Sequence, residues 1–309
     1  MRALVTGGAG FIGSTLVDRL LAENHSVDVV DDLSSGSLTN LAGARRDHPR
    51  QLTFHNLDIR SSAILEVMQR RRPDVVYHLA ARTAVAPSFA DPVDDADVNL
   101  LGALRVIDAA RQSGVTKVVF ACSADVYGQL GARELPVRES HPQRPETPRG
   151  VAKKAVVDYL WTYRQLHNLE FTALVLPNVY GPRQVQGPVV ATFVARLLAG
   201  EACTLEGKGR QTRDFVYVDD VVDAFARAAG RGGGLLLNVG TGIETSVATL
   251  YEVVSAAVGV VRRAIPGRAR PGDQPRLCLD PSRAEIHLGW KPWTNLEEGV
   301  GTLVEGLRA

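Results

Sequence analysis

The sequence predicts an α/β protein: a doubly wound parallel sheet of Rossmann type, followed by a smaller C-terminal α/β lobe. Three observations carry this. Apolar strand-like runs alternate with helix-period segments up to Pro177. The first run, Ala3-Leu4-Val5, ends in the glycine-rich stretch Gly7-Gly8-Ala9-Gly10-Phe11-Ile12-Gly13, which opens into a helical pattern from Thr15 to Glu23. A second apolar run, Val27 to Val30, ends in an acid, Asp31.

Those glycines fit two related spacings. Gly8, Gly10 and Gly13 match G-x-G-x-x-G, and Gly7, Gly10 and Gly13 match G-x-x-G-x-x-G. Glycine allows a tight turn and a close approach of backbone to a pyrophosphate, while the following helix offers free N–H groups and the positive end of its dipole. Asp31 lies at the spacing expected of an acid that binds a ribose. The ordered unit of strand, glycines, helix, strand and acid implies a bound dinucleotide.

The rest of the first half continues the alternation. Leu33 to Asn40 reads as a loop, Leu52 to Asn56 as a strand, Ser61 to Arg71 as a helix and Asp74 to Leu79 as a buried strand. Val93 to Gly114 reads as one long helix and Lys117 to Cys122 as the next strand. A proline-containing loop then leads to a helix from about Gly150 to His167 and a strand from Phe171 to Leu176. Residues 1–177 therefore form the expected dinucleotide domain.

Residues 178–309 are read mainly as a substrate lobe, with a segment of about 214–242 returning to the large domain. Helices are expected over Val189 to Ala199, Val221 to Ala229, Val247 to Gly259 and from Leu296. Short strands are expected at Thr204-Leu205, Asp214 to Val218, Leu235 to Val239 and near Leu277. Ligand belongs in the crevice at the carboxyl ends of the sheet strands.

Composition narrows the partners. Of the 309 residues, 35 are Lys or Arg and 34 are Asp or Glu, so no net field favours nucleic acid or an anionic membrane. No run of about 18 apolar residues exists, which argues against a spanning helix. The first residues enter a strand at once and lack the form of a signal peptide. Cys122, Cys203 and Cys278 are odd in number and widely spaced, implying a reduced cytoplasmic protein without a metal site.

Further motifs run nearly end to end. They include Val30-Asp31-Asp32-Leu33-Ser34-Ser35-Gly36, His78-Leu79-Ala80-Ala81, Ser123 to Gly128, Asn178 to Gln184, Arg213 to Asp220 and Arg270-Pro271-Gly272-Asp273. With these the chain resembles the extended short-chain dehydrogenase/reductases that act on nucleotide sugars, and most resembles their UDP-glucose (UDP-galactose) 4-epimerase branch. The resemblance implies tightly held NAD, a UDP- or TDP-sugar substrate, and a homodimer formed through the helices at 93–114 and 150–167.

It also assigns residues. Gly7, Gly10, Phe11, Ile12 and Gly13 fall to the diphosphate loop, and Asp31, Asp32, Ser35 and Gly36 to the adenosine ribose region. Asp58 and Ile59 fall to adenine, and Leu79, Ala80, Ala81 and Asn99 complete the cofactor site. An acid at 31 repels the 2′-phosphate of NADP, which favours NAD. Asparagine is a poor helix former, so Asn99 is expected to hydrogen-bond specifically. Thr83, Ser123, Asn178, Arg213, Arg270 and Asp273 are carried over to the sugar nucleotide. A guanidinium such as that of Arg213 pairs phosphate oxygens two at a time.

The family reaction removes a hydride from sugar C4 to NAD while a base takes the O4 proton. Reduction of the resulting ketone from its other face is epimerisation. The base is the tyrosine of Tyr-x-x-x-Lys, with a serine hydroxyl at O4. Ser123 and Lys153 stand at the serine and lysine positions, but the tyrosine position holds Arg149. Arginine stays protonated and has no acceptor lone pair, so it cannot replace a tyrosinate. Three explanations fit: Asp125, with Lys153 behind it, is the base; the chain binds both ligands with little turnover; or the arginine was introduced to trap a complex. A UDP-glucuronate decarboxylase or related uronate enzyme is the alternative reading, with Arg149 holding a carboxylate.

Overall fold

The computed structural model describes residues 1–185, 187–268 and 275–308. From the N-terminus it runs β1 (Arg2–Thr6), α1 (Phe11–Ala22), β2 (Ser26–Asp31), α2 (Ala42–Asp47), β3 (Leu52–Asn56), α3 (Ala63–Arg71) and β4 (Val75–His78). Next come α4 (Val85–Ala90), α5 (Pro92–Ala96), a π-helical turn (Asp97–Gly102), α6 (Ala103–Gln112), β5 (Lys117–Ser123), α7 (Pro148–His167) and β6 (Glu170–Leu176). The remainder is β7 (Asn178–Tyr180), α8 (Val189–Leu198), β8 (Thr204–Glu206), β9 (Thr212–Arg213), β10 (Phe215–Tyr217), α9 (Val218–Ala228) and β11 (Leu235–Asn238). It ends with β12 (Thr245–Ser246), α10 (Val247–Val258), β13 (Ile265–Gly267), α11 (Ser282–Leu288) and α12 (Leu296–Arg308).

Seven strands form one parallel sheet in the order β11-β6-β5-β4-β1-β2-β3. The fold is the expected Rossmann-type α/β sheet, and β11 brings residues beyond 177 back into it. Strand alternation sends Ala3 and Val5 to one face and Leu4 to the other. The first face packs against Leu16 and Leu20 of α1 and Phe225 of α9. The second packs against Ile107 of α6 and Val156 of α7. The order reverses between β1 and β4, and the segments leaving their carboxyl ends, 7–13 and 79–83, face each other there. Three two-stranded sheets pair β7 with β10, β9 with β12 and β8 with β13.

Several expectations need correction. The helix read over 93–114 is broken by the π-helical turn at Asp97–Gly102, where Asn99 turns its amide onto the chain after β4. The helix read from Val221 begins at Val218, with Asp219 and Asp220 inside its first turn. The strand near Leu277 is only a single bridge, between Val137 and Leu279. The loop after Leu33 closes with a 3-10 turn at Leu38–Leu41. The short elements α2, α4, α11 and β13 carry too few residues to show a period.

Candidate active site

The glycine loop is shaped by contact. Gly7 lies at φ +71°, and a Cβ there would sit 2.6 Å from the Ala80 nitrogen. A Cβ on Gly13 would sit 2.1 Å from the Gly7 carbonyl oxygen, so only hydrogen lets α1 start so close to the turn. Gly10 precedes α1 and no side chain caps it, which leaves first-turn N–H groups for an anion. Phe11 and Ile12 anchor that turn by packing against the core.

Asp31 ends β2 beneath this turn. Its carboxylate accepts the Ala9 N–H at 2.9 Å and the Leu33 N–H at 2.8 Å. Burial raises its proton affinity above the ordinary carboxylate value, and these two N–H groups oppose the rise. Gly36 passes close to Asp31 and Ala9, Ser35 is exposed, and Asp32 accepts the Ser34 N–H at 3.0 Å. The amide of Asn40, which the sequence did not single out, donates to the Ala9 carbonyl at 2.9 Å. For a dinucleotide the residues fit: a cradle that any Cβ would fill, an open helix N-terminus, and an acid at the next strand end.

Other expected cofactor residues are engaged within the protein. Asp58 accepts from Arg60, which holds its carboxyl below the usual range, and Ile59 is buried against Gly102. Leu79 N–H donates to the Thr6 carbonyl at 3.1 Å, Ala80 N–H to Thr6 Oγ1 at 3.3 Å, and Ala81 follows half-buried. Asn99 clamps Arg82 from both sides: Oδ1 accepts the Arg82 N–H at 2.9 Å and Nδ2 donates to the Arg82 carbonyl at 3.0 Å.

The catalytic candidates converge beside this crevice. Thr147 caps α7, Pro148 occupies its first position, and Arg149 and Lys153 follow four residues apart on one face. Ser123 ends β5 and its Oγ accepts the Asp125 N–H at 3.3 Å. Arg149 Nε donates to Asp125 Oδ2 at 2.8 Å, Nη2 donates to the same oxygen, and Nη1 donates to the Thr83 carbonyl. The guanidinium thus points inward and ties the 3-10 turn after β5 to the segment after β4. Lys153 is 6% exposed; its Nζ donates to the Ala121 carbonyl at 2.9 Å and lies 4.6 Å from the Phe120 ring centre. Burial pushes its ammonium down to about 8.

Beyond β6, Asn178 N–H donates to the Asp214 carbonyl, and half-buried Arg213 donates to the Thr212 carbonyl at 2.8 Å. Arg270 and Asp273 lie outside the described residues. Arg183 joins the two halves, pairing with Asp18 of α1 at 2.7 Å and donating to Ser14 Oγ at 3.2 Å. His78, quoted in a motif but given no role, bonds Thr6 Oγ1 through Nδ1 at 2.7 Å and stacks on Phe120. Burial pushes it down to about 3, so it is neutral. Among the described residues no group of three or more His, Cys, Asp and Glu is placed to hold a metal, and no helix is long and apolar enough to cross a membrane.

Residues 4–303 match the family model described as GDP-mannose 4,6 dehydratase. The chain belongs to this family. It is 45% identical over 313 residues to a UDP-glucose 4-epimerase of Mycolicibacterium smegmatis, covering 100% of this chain and 99% of that protein. The UDP-glucose 4-epimerase of Thermotoga maritima, solved with UDP-glucose, superposes with a TM-score of 0.95 at 37% identity, over 100% of this chain and 99% of that one. That of Thermus thermophilus, solved in complex with NAD, superposes at 0.92, again 37% identical over 100% and 99%. Arg149 lies four residues before Lys153 on α7, and its side chain reaches Asp125 rather than solvent.

Proposed function

We propose that this chain is an NAD-dependent 4-epimerase-type enzyme acting on a UDP-sugar through a 4-keto form of the sugar, with Arg149 in the place of the tyrosine base. The observation that supports it is the convergence of Ser123, Lys153 and position 149 beside the glycine loop, in a chain similar over its whole length to UDP-glucose 4-epimerases. When bound, NAD supplies the hydride acceptor and donor for sugar C4.

The chain's own residues do the rest. The helix α1 N-terminus and Asp31 hold the dinucleotide, and Arg213 and Asn178 hold the sugar-nucleotide diphosphate. The Ser123 hydroxyl hydrogen-bonds O4. Arg149 cannot accept the O4 proton. Asp125 is the adjacent acceptor, and it is engaged by the guanidinium. Both guanidinium bonds fall on Oδ2, so Oδ1 is the oxygen open to a proton while that ion pair stands.

This geometry also favours a second reading, in which the sugar carries a carboxylate. Such a group would compete with Asp125 for Arg149 and release Asp125 to take the proton. A neutral sugar offers no such exchange, and with it the chain would bind both ligands and turn over slowly. Incubating the purified protein with a panel of UDP-hexoses and UDP-uronates, with products identified by mass and NMR, tests these readings. Failure to convert or bind any of them overturns the assignment.

A further inference from the structure

A buried acid outside the motifs sits at the junction of two site elements. Asp95, on α5, is 2% exposed. Its Oδ1 accepts the Asn99 Nδ2–H at 2.9 Å, and its Oδ2 has no hydrogen-bond partner among the described residues. A buried carboxylate oxygen without a donor is unfavourable unless another charge answers it. The helix α5 packs on α7, which carries Lys153. Lys153 is buried too, and among the described residues only one of its three N–H groups finds an acceptor, the Ala121 carbonyl. Burial opposes the ammonium most and Arg149 opposes it as well, while Cys122 and, more weakly, Asp95 support it. The other groups around it are the buried Cys122 thiol and neutral His78, with Asp125 already paired to Arg149.

Asp95 also fixes an orientation. A carboxylate only accepts, so its bond selects the Asn99 face that carries Nδ2. Asn99 Oδ1 is then left for the Arg82 N–H, and Nδ2 serves both Asp95 and the Arg82 carbonyl. The next residue, Thr83, gives its carbonyl to Arg149. The π-helical turn that holds Asn99 is a form that recurs at functional sites.

We propose that Asp95 is a positioning residue for the reaction, serving as the counter-charge of Lys153 and setting the Asn99 clamp on the Arg82–Thr83 segment. Its role in catalysis rests on the epimerase-type reading; its coupling to Lys153 does not. The test is urea unfolding of the cofactor-free protein between pH 6.5 and about 9.5 for the parent, Asp95→Asn, Lys153→Met and the double variant. Below about 8 the parent has a charged lysine for Asp95 to answer, and above it the lysine is neutral. The destabilisation by Asp95→Asn is therefore expected to shrink as pH rises through that value, and to lose its pH dependence in the Lys153→Met background. Asp95→Ser is the second neutral variant should the asparagine fail to fold. Equal destabilisation at both ends of the range, or the same pH dependence without Lys153, overturns the proposal. On any UDP-sugar the parent converts, Asp95→Asn should lower kcat more than it raises KM, and an unchanged kcat would refute the catalytic role. A parent that converts no UDP-sugar counts against the function alone, because the unfolding comparison needs no turnover.

Discussion

Arg149 and Asp125 form an ion pair inside the site, with Nε 2.8 Å from Oδ2 and side chains 16% and 18% exposed. The pair sets a guanidinium against the carboxylate proposed above as the proton acceptor. Losing a general base costs about 10²–10⁴ in rate. Arg149→Tyr restores Tyr-x-x-x-Lys above the buried Lys153 and should raise UDP-hexose epimerisation by a comparable factor, leaving NAD content unaltered. Side-by-side assays of parent and variant check this. A brisk parent and a slower tyrosine variant would place the arginine in a different mechanism and bring the uronate reading forward.

Arg213 is expected to hold the nucleotide diphosphate. It lies half-buried on β9, whose partner β12 fixes the strand's direction. Removing one charge-assisted phosphate contact should cost about 1.5–3 kcal/mol, roughly ten- to a hundredfold in affinity. Calorimetry of UDP on Arg213→Ala measures it directly, and an unchanged dissociation constant refutes the assignment.

The dinucleotide loop offers a sharper steric test. The Cβ of Gly13→Ala would meet the Gly7 carbonyl, so α1 would have to move away from the turn. Release of bound nucleotide on denaturation should yield NAD from the parent and little or none from the variant. NADP from the parent, or full NAD occupancy in Gly13→Ala, contradicts the reading of this cradle.

The legible parts of this molecule were those written in local pattern. The β1–α1 turn, Asp31 at the end of β2, and Lys153 four residues after position 149 all follow from spacing along one element. The bonds that complete the site do not. Asn40 reaches the Ala9 carbonyl across 31 residues, and His78 reaches Thr6 across 72. Nothing local marks Asp125 as the partner of Arg149, since the contact exists only because β5 and α7 lie side by side. Asp95 and Asn99 do stand four apart, but a π-helical turn begins between them and was hidden inside an ordinary helical period.

His78 gives the fold a pH dependence of known sign. Its folded-state value is about 3 against an ordinary 6.5, so between these values the unfolded chain binds a proton that the folded chain refuses. The His78 contribution to stability is full above about pH 6.5 and falls below it, by about 1.4 kcal/mol per pH unit at most. Urea unfolding at pH 4.5 to 7.5 should show this slope, and His78→Gln should flatten it. An identical slope in the variant assigns the acid sensitivity elsewhere.

The remaining expectation concerns assembly through the helices read at 93–114 and 150–167, which the structure forms at 92–112 and as α7. Part of the apolar surface of these helices is core: Ile107, Val157 and Leu160 are buried within the chain. Leu101, Val151, Tyr159 and Leu166 on the same helices remain exposed. One such residue is ordinary, but several on two adjacent helices suggest a covered face. With 20 residues, α7 is about 30 Å long, and two such helices can supply the roughly 800 Å² per partner of a stable interface. Light scattering at micromolar concentration should therefore give twice the chain mass, and Leu101→Asp with Tyr159→Asp should give the monomer, still folded. A monomeric parent overturns the dimer, and a dimer that survives both substitutions moves the interface to another face.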